Sequence, residues 1–242
     1  MPLDFNILTP RIERLIHRLK VDYSHNPGMI LTEDDLQCHL HGRLSRLRAF
    51  RYGLPTQDSR VLGFSVHSEL TWYDERRKLR IKPDITILEP EEMSIQHGYV
   101  SPMLEPFCSS VSAFHMARPL PSKQYEFGGN AITFELKFAR NGITEYFARL
   151  IKQDFKKMMR LFEILDRRGE GESIFSYLII FNKLPQPMSD TPLAQFMNEH
   201  GSGPRHKILY KTCSPCPSLV LTNPPFAKGT WCRAHGAAWR RR

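Results

Sequence analysis

The stretch Ser173 to Phe181, SIFSYLIIF, is almost continuously apolar. A strand of this kind has no face to offer to water, so both of its sides must be covered by other elements. It follows a long helical period from about Glu145 to Asp166, whose stripe is Phe147, Leu150, Ile151, Phe155, Met158, Leu161, Phe162 and Leu165. An amphipathic helix leading into a doubly buried strand is the pattern of a crossover, which joins parallel strands in mixed α/β domains. The expected fold is therefore α/β, with a mixed central sheet flanked by helices.

The remaining periods fill in an order of helix, three strands, helix, strand, helix, strand. Residues 11–20 are predicted helical, and Asn26-Pro27-Gly28 breaks that helix. A second helix has Thr32 as its N-cap, Glu33, Asp34 and Asp35 in its first turn, and the stripe Leu36, Leu40, Leu44 and Leu47. Val61 to Trp72 and Leu79 to Leu88 read as two strands of a β-hairpin joined by the polar turn at 73–77. Ala131 to Ala139 is the third strand, followed by a turn at Asn141-Gly142. Thr191 to Glu199 reads as a short helix with Thr191 as cap and Pro192 first, and His206 to Lys211 as a last strand. The Pro- and Gly-rich residues 89–130 read as an excursion from the core. The expected division is a domain over 1–211, carrying that insert, and a basic tail over 212–242.

Strand alternation singles out a chemical face. In Ile132-Thr133-Phe134-Glu135-Leu136-Lys137-Phe138 the apolar residues share one side, leaving Thr133, Glu135 and Lys137 on the other. Two residues along a strand span roughly 6.6 Å, so Glu135 and Lys137 are neighbours aimed the same way. On the preceding strand Ile81, Ile85 and Ile87 share one face and Asp84 lies on the opposite one. If these strands pair, Asp84 and Glu135 converge on one cation. Two carboxylates with water and substrate phosphate oxygens are what Mg²⁺ prefers. A solvated Glu-x-Lys pair is the common alternative, but Phe-Glu-Leu-Lys-Phe sits on what should be a central strand.

Pro83-Asp84 followed by Glu135-Leu136-Lys137 resembles the PD-(D/E)XK nuclease superfamily. The resemblance covers roughly residues 11–185 and implies a restriction endonuclease-like core in αβββαβ order. It implies a Mg²⁺- or Mn²⁺-dependent endonuclease that hydrolyses DNA phosphodiester bonds, with Asp84 and Glu135 holding the metal and Lys137 serving the water or the transition state. Three further matches are a glutamate on the helix before the sheet (Glu33), an acid on the first strand (Glu69), and Gln153-Asp154 with Lys157 on the helix after the motif strand. Such domains often cut as homodimers. The reading of the residues leaves RNA open as a substrate, and also leaves open a catalytically inactive nucleic-acid-binding or regulatory protein of the same fold.

Charge agrees with a polyanionic partner: Lys and Arg exceed Asp and Glu by 9 over 242 residues. Arg43, Arg46, Arg48 and Arg51, together with Arg76, Arg77 and Lys78, are candidates for following a nucleic-acid backbone, as are Lys152, Lys156 and Lys157. No run of about 20 apolar residues or signal peptide is evident, and five scattered cysteines suit a reducing compartment, so a cytoplasmic protein is expected. In the tail, Cys213-Ser-Pro-Cys216 and Cys232-Arg-Ala-His235 have spacing compatible with structural Zn²⁺, with free thiols as the alternative. A basic scaffold using that tail for protein contacts is a third reading.

Overall fold

The fold was analysed in a computed structural model that describes residues 3–57, 62–73, 80–95, 125–127, 129–167 and 173–212. In chain order the elements are α1 (Phe5–His25), α2 (Glu33–Leu44), β1 (Leu54–Pro55), β2 (Leu62–Gly63), β3 (Val66–Ser68), β4 (Trp72–Tyr73), β5 (Arg80–Ile81) and β6 (Ile85–Leu88). They continue with β7 (Met93–Ile95), β8 (Tyr125–Phe127), β9 (Ala131–Ala139), α3 (Glu145–Arg167), β10 (Ile174–Asn182), α4 (Ala194–His200), β11 (Ser202–Gly203) and β12 (His206–Thr212). The chain is mixed α/β, as the apolar run and its preceding helix require.

A six-stranded mixed sheet in the order β11-β12-β10-β9-β6-β3 forms the centre. β9, β10 and β12 run parallel to one another, whereas β6 is antiparallel to β9 and to β3, and β11 is antiparallel to β12. α3 makes the connection from β9 to the parallel β10, and β10 is buried on both faces as its composition demands. On one face Ile85, Ile87, Phe134, Leu136, Ile179 and Phe181 pack with the buried stripes of α1 and α2. On the other, Leu88, Ala131, Leu178 and Ile180 pack with α3. Phe134, fully buried, stacks on Tyr177 with ring centroids 5.3 Å apart. Burying such a ring contributes about 1.5–3 kcal/mol, which holds β9 firmly in register beside its polar face.

Local chemistry accounts for the helix boundaries. α2 starts at a capping box in which Thr32 Oγ1 accepts from the Asp35 N–H while the Asp35 carboxylate accepts from the Thr32 N–H. α1 begins six residues earlier than its stripe indicates, because Asp4 accepts from the N–H groups of Asn6 and Ile7 and so starts the helix ahead of Pro10. Gly142 adopts φ +80°, the left-handed turn expected between β9 and α3. At α4 the expectation needs correcting: Leu193 is the cap and the helix begins at Ala194. Thr191 Oγ1 instead donates to the Met188 carbonyl and accepts from the Leu193 N–H in the turn before it.

The hairpin also differs from its prediction. The first expected strand is broken into β2, β3 and β4 and the second into β5 and β6: β2 pairs with β1, β3 pairs with β6 inside the main sheet, and β4 pairs with β5 in a separate ribbon. The break falls at Glu69, with φ +56°, and at Pro83, which has no N–H to give to a ladder. Asp84 and Glu69 therefore lie at bends beside strand ends, not within strands as expected. The turn residues 74–79 lie outside the described residues. So does most of the excursion, whose two ends pair as β7 and β8. The last strand runs through Thr212, one residue into the expected tail.

Candidate active site

β9 presents Glu135 and Lys137 on the sheet face that α3 covers, while Leu136 and Phe138 point into the core under α1 and α2. The antiparallel register sets Ile85 opposite Phe134, so the bend just before β6 delivers Asp84 beside Glu135. Asp84 is fixed at three points. Its Oδ2 accepts from the Leu136 N–H at 2.6 Å. Its carbonyl accepts from Gln37 Nε2 at 2.7 Å and from the Glu69 N–H at 3.0 Å. Gln37 was not among the expected residues, although it sits four positions after Glu33 and thus on the same face of α2.

Lys137 is the hub. Its Nζ lies 3.2 Å from Glu135 Oε1, 3.2 Å from Asp154 Oδ2 and 3.3 Å from Glu33 Oε1. Its side chain is only 12% exposed, and that of Asp154 11%, so these contacts are screened far less than surface pairs. Glu33 reaches β9 from the first turn of α2, where its second oxygen accepts from the Phe138 N–H at 3.3 Å. Asp154 comes from α3 and is also held by Lys157 at 2.6 Å. Glu33, Asp84, Glu135, Lys137 and Asp154 are thereby gathered from α2, the bend before β6, β9 and α3.

Two of the expected residues stand apart. Glu69 turns its carboxylate to Lys82 Nζ at 2.6 Å and is 55% exposed, so it does not join the acidic cluster; the left-handed bend carries the side chain away. Gln153 is exposed on α3, one residue from Asp154 but outside the set of contacts around Lys137. Cys213, Cys216, Cys232 and His235, like Arg76, Arg77 and Lys78, lie outside the described residues.

The cluster is short of positive charge. Four carboxylates face two ammonium groups, those of Lys137 and Lys157. Burial raises the Asp84 pKa to about 6, against the opposing pull of the Leu136 N–H and Lys137, with Glu33 and Asp154 pushing it further up. Burial likewise raises Glu135 to about 7, partly offset by Lys137 and reinforced by Asp84 and Asp154. For Lys137, burial favours the neutral amine, but Glu135, Glu33, Asp154 and Asp84 together outweigh it and hold the ammonium charged well above the ordinary lysine range. The two ends of the Lys137–Glu135 contact thus respond unequally. One ammonium shared among several acids is strongly stabilised, while each buried acid receives only a fraction of its charge.

A divalent cation fits this deficit. Asp84 Oδ2 and Glu135 Oε1 are engaged by Leu136 and Lys137, leaving Asp84 Oδ1 and Glu135 Oε2 without hydrogen-bond partners among the described residues. Among those residues there is no group of three or more His, Cys, Asp and Glu that could hold a metal. Two carboxylates nonetheless suit Mg²⁺, which keeps several waters and takes few protein oxygens. A cavity of about 170 Å³ lined by Lys82, Pro83, Glu135, Asp154 and Lys157 reaches Glu135. Among the described residues no helix is long and apolar enough to cross a membrane. Comparison with family models, curated proteins and solved structures gives no match for this chain.

Proposed function

We propose that this chain is a metal-dependent nuclease with a restriction endonuclease-like core, hydrolysing DNA phosphodiester bonds at the Asp84–Glu135–Lys137 cluster. The observation that carries the reading is the convergence of these three side chains on one polar face. The meander β3-β6-β9 followed by a helix and a parallel strand is compatible with that core.

Asp84 and Glu135 would hold Mg²⁺ or Mn²⁺, which supplies charge neutralisation and Lewis acidity toward the phosphodiester. The chain's own contribution is positional and electrostatic. Gln37 and the Leu136 N–H keep Asp84 aimed at Glu135. Lys137, held protonated by its acid neighbours, is unsuited to accept a proton, so it orients the attacking water and offsets charge growing on the phosphate oxygens. Glu33 and Asp154 fix the ammonium from two sides and keep its long stem in one geometry. DNA is the substrate class this reading names.

The test is nicking of a supercoiled plasmid by purified protein. Conversion to open circles or linear molecules is expected with Mg²⁺ or Mn²⁺ and should stop with EDTA. Cleavage that persists at full rate in EDTA would remove the metal from the proposal. Intact plasmid under every metal condition, with DNA still bound, would leave a binding protein of the same fold.

A further inference from the structure

α1 and α2 together carry a separate, positively charged feature, on the sheet face opposite α3. Arg11, Arg14 and Arg18 recur at three- and four-residue steps and so share one stripe of α1. Across from them stand Arg43, in the last turn of α2, and Arg46 just beyond it. The five guanidinium groups line a groove of about 440 Å³ floored by Leu15 and Leu47. The acids near this groove are occupied elsewhere or at a distance. Glu13 turns to Lys207 at 2.7 Å, and Asp22 is taken by Arg43 at 2.7 Å. Glu33, Asp34 and Asp35 sit at the far end of α2. Arg11, Arg14, Arg18 and Arg46 are exposed and have no carboxylate partner among the described residues.

We infer that this groove binds the phosphate backbone of a nucleic acid, as a site separate from the carboxylate cluster. Four exposed guanidinium groups without carboxylate partners on two facing helices set up a positive potential that a polyanion lying between them would neutralise. Each planar fork of donors matches a phosphate in a way that a lysine would not. A concave groove grips a charged rod, whereas an anionic membrane presents a plane. The groove also connects with the cluster through α2: Glu33 and Arg43 are separated by ten helical residues, roughly 15 Å, or about four phosphates along one strand. The role of the groove as part of a cleavage substrate's path rests on the proposed nuclease function; its binding of nucleic acid does not.

The test measures binding without cleavage, by fluorescence anisotropy in EDTA on a duplex of about three helical turns, roughly 30 base pairs. Wild type is compared with a fourfold variant, Arg11→Gln, Arg14→Gln, Arg18→Gln and Arg46→Gln, which leaves the Arg43–Asp22 pair intact. Because the four side chains are exposed, the variant's melting temperature should match wild type, which verifies the fold. The slope of log affinity against log salt is expected to shrink by about 3 to 4, since each lost phosphate contact removes close to 0.9. Affinity at low salt should fall at least tenfold, as expected for the loss of several phosphate contacts. An unchanged slope would overturn the inference. So would a variant that keeps duplex binding but loses binding to phosphatidylserine vesicles, because the groove would then serve a membrane. A slope lost in the fourfold variant, with no cleavage by wild type in Mg²⁺, would sustain the groove and reject the nuclease. Cleavage by wild type with an unaltered slope in the variant would do the reverse.

Discussion

Replacing Asp84 or Lys137 by alanine is expected to lower metal-dependent plasmid nicking by at least about 10²-fold, the loss typical of removing one group that stabilises charge in a transition state. The two substitutions act differently. Asp84→Ala removes half of the proposed metal-holding pair and one acceptor of the Leu136 N–H. Lys137→Ala leaves Glu33, Glu135 and Asp154 facing one another without the ammonium that joins them. Uncovering buried charge in that way costs about 3–5 kcal/mol of stability, so rates must be compared on folded protein, verified by near-ultraviolet circular dichroism. Glu69→Gln is the control. Its pair with Lys82 is exposed and worth little, and activity should stay within about threefold of wild type. Nicking that survives both Asp84→Ala and Lys137→Ala would eliminate the assignment. A loss in Glu69→Gln as deep as in Asp84→Ala would mean that the acid at the bend belongs to the site after all.

Thermal stability in the absence of metal is expected to fall as pH rises from about 4 to about 7. Asp84 and Glu135 have native pKa values near 6 and 7, above the ordinary carboxylate range that applies in the unfolded chain. Within that window the native state therefore binds more protons than the unfolded state, and the slope of unfolding free energy against pH is negative. The contribution is fully present below pH 4, is lost through the native pKa values, and is absent above them. A divalent cation reverses the penalty by binding only the ionised pair. At a hundredfold excess over its dissociation constant it stabilises by about 2.7 kcal/mol. For a chain of this size that is an increase of roughly 5–10 °C in melting temperature at pH 8. At pH 5 protons occupy both carboxylates and the increase should nearly vanish. The double variant Asp84→Asn, Glu135→Gln should remove the metal effect at every pH. Equal metal stabilisation at pH 5 and pH 8, or stabilisation that persists in the double variant, would place the cation elsewhere.

The central strands and most of the acid–lysine cluster could be read from local pattern. Alternation along Ile132 to Phe138 put Glu135 and Lys137 on one face because the period of a strand is fixed by its pleat. The position of Glu33 followed from Thr32 as cap and Leu36 as the first buried residue of α2. What escaped the sequence depends on tertiary placement. Nothing in Gln37 signals that its amide reaches the Asp84 carbonyl, forty-seven residues away. Asp154, by contrast, was already among the candidates on the helix after the motif strand, and it meets Lys137 at 3.2 Å. Glu69 was assigned to a strand because its neighbours alternate, but the left-handed bend at Glu69 and the missing N–H of Pro83 break that strand. The same break explains why Asp84 precedes its strand and can turn its carboxylate toward the Leu136 N–H.

The cation itself is the heart of the matter, and Mn²⁺ can be located directly. Crystals grown or soaked with Mn²⁺ near pH 8 should show one anomalous-scattering peak between Asp84 and Glu135, with an oxygen of each at about 2.1 Å as octahedral divalent sites require. Lys137 should stand beside the ion without ligating it. An anomalous map with no peak there, or with its only strong peak away from both carboxylates, would contradict the assignment.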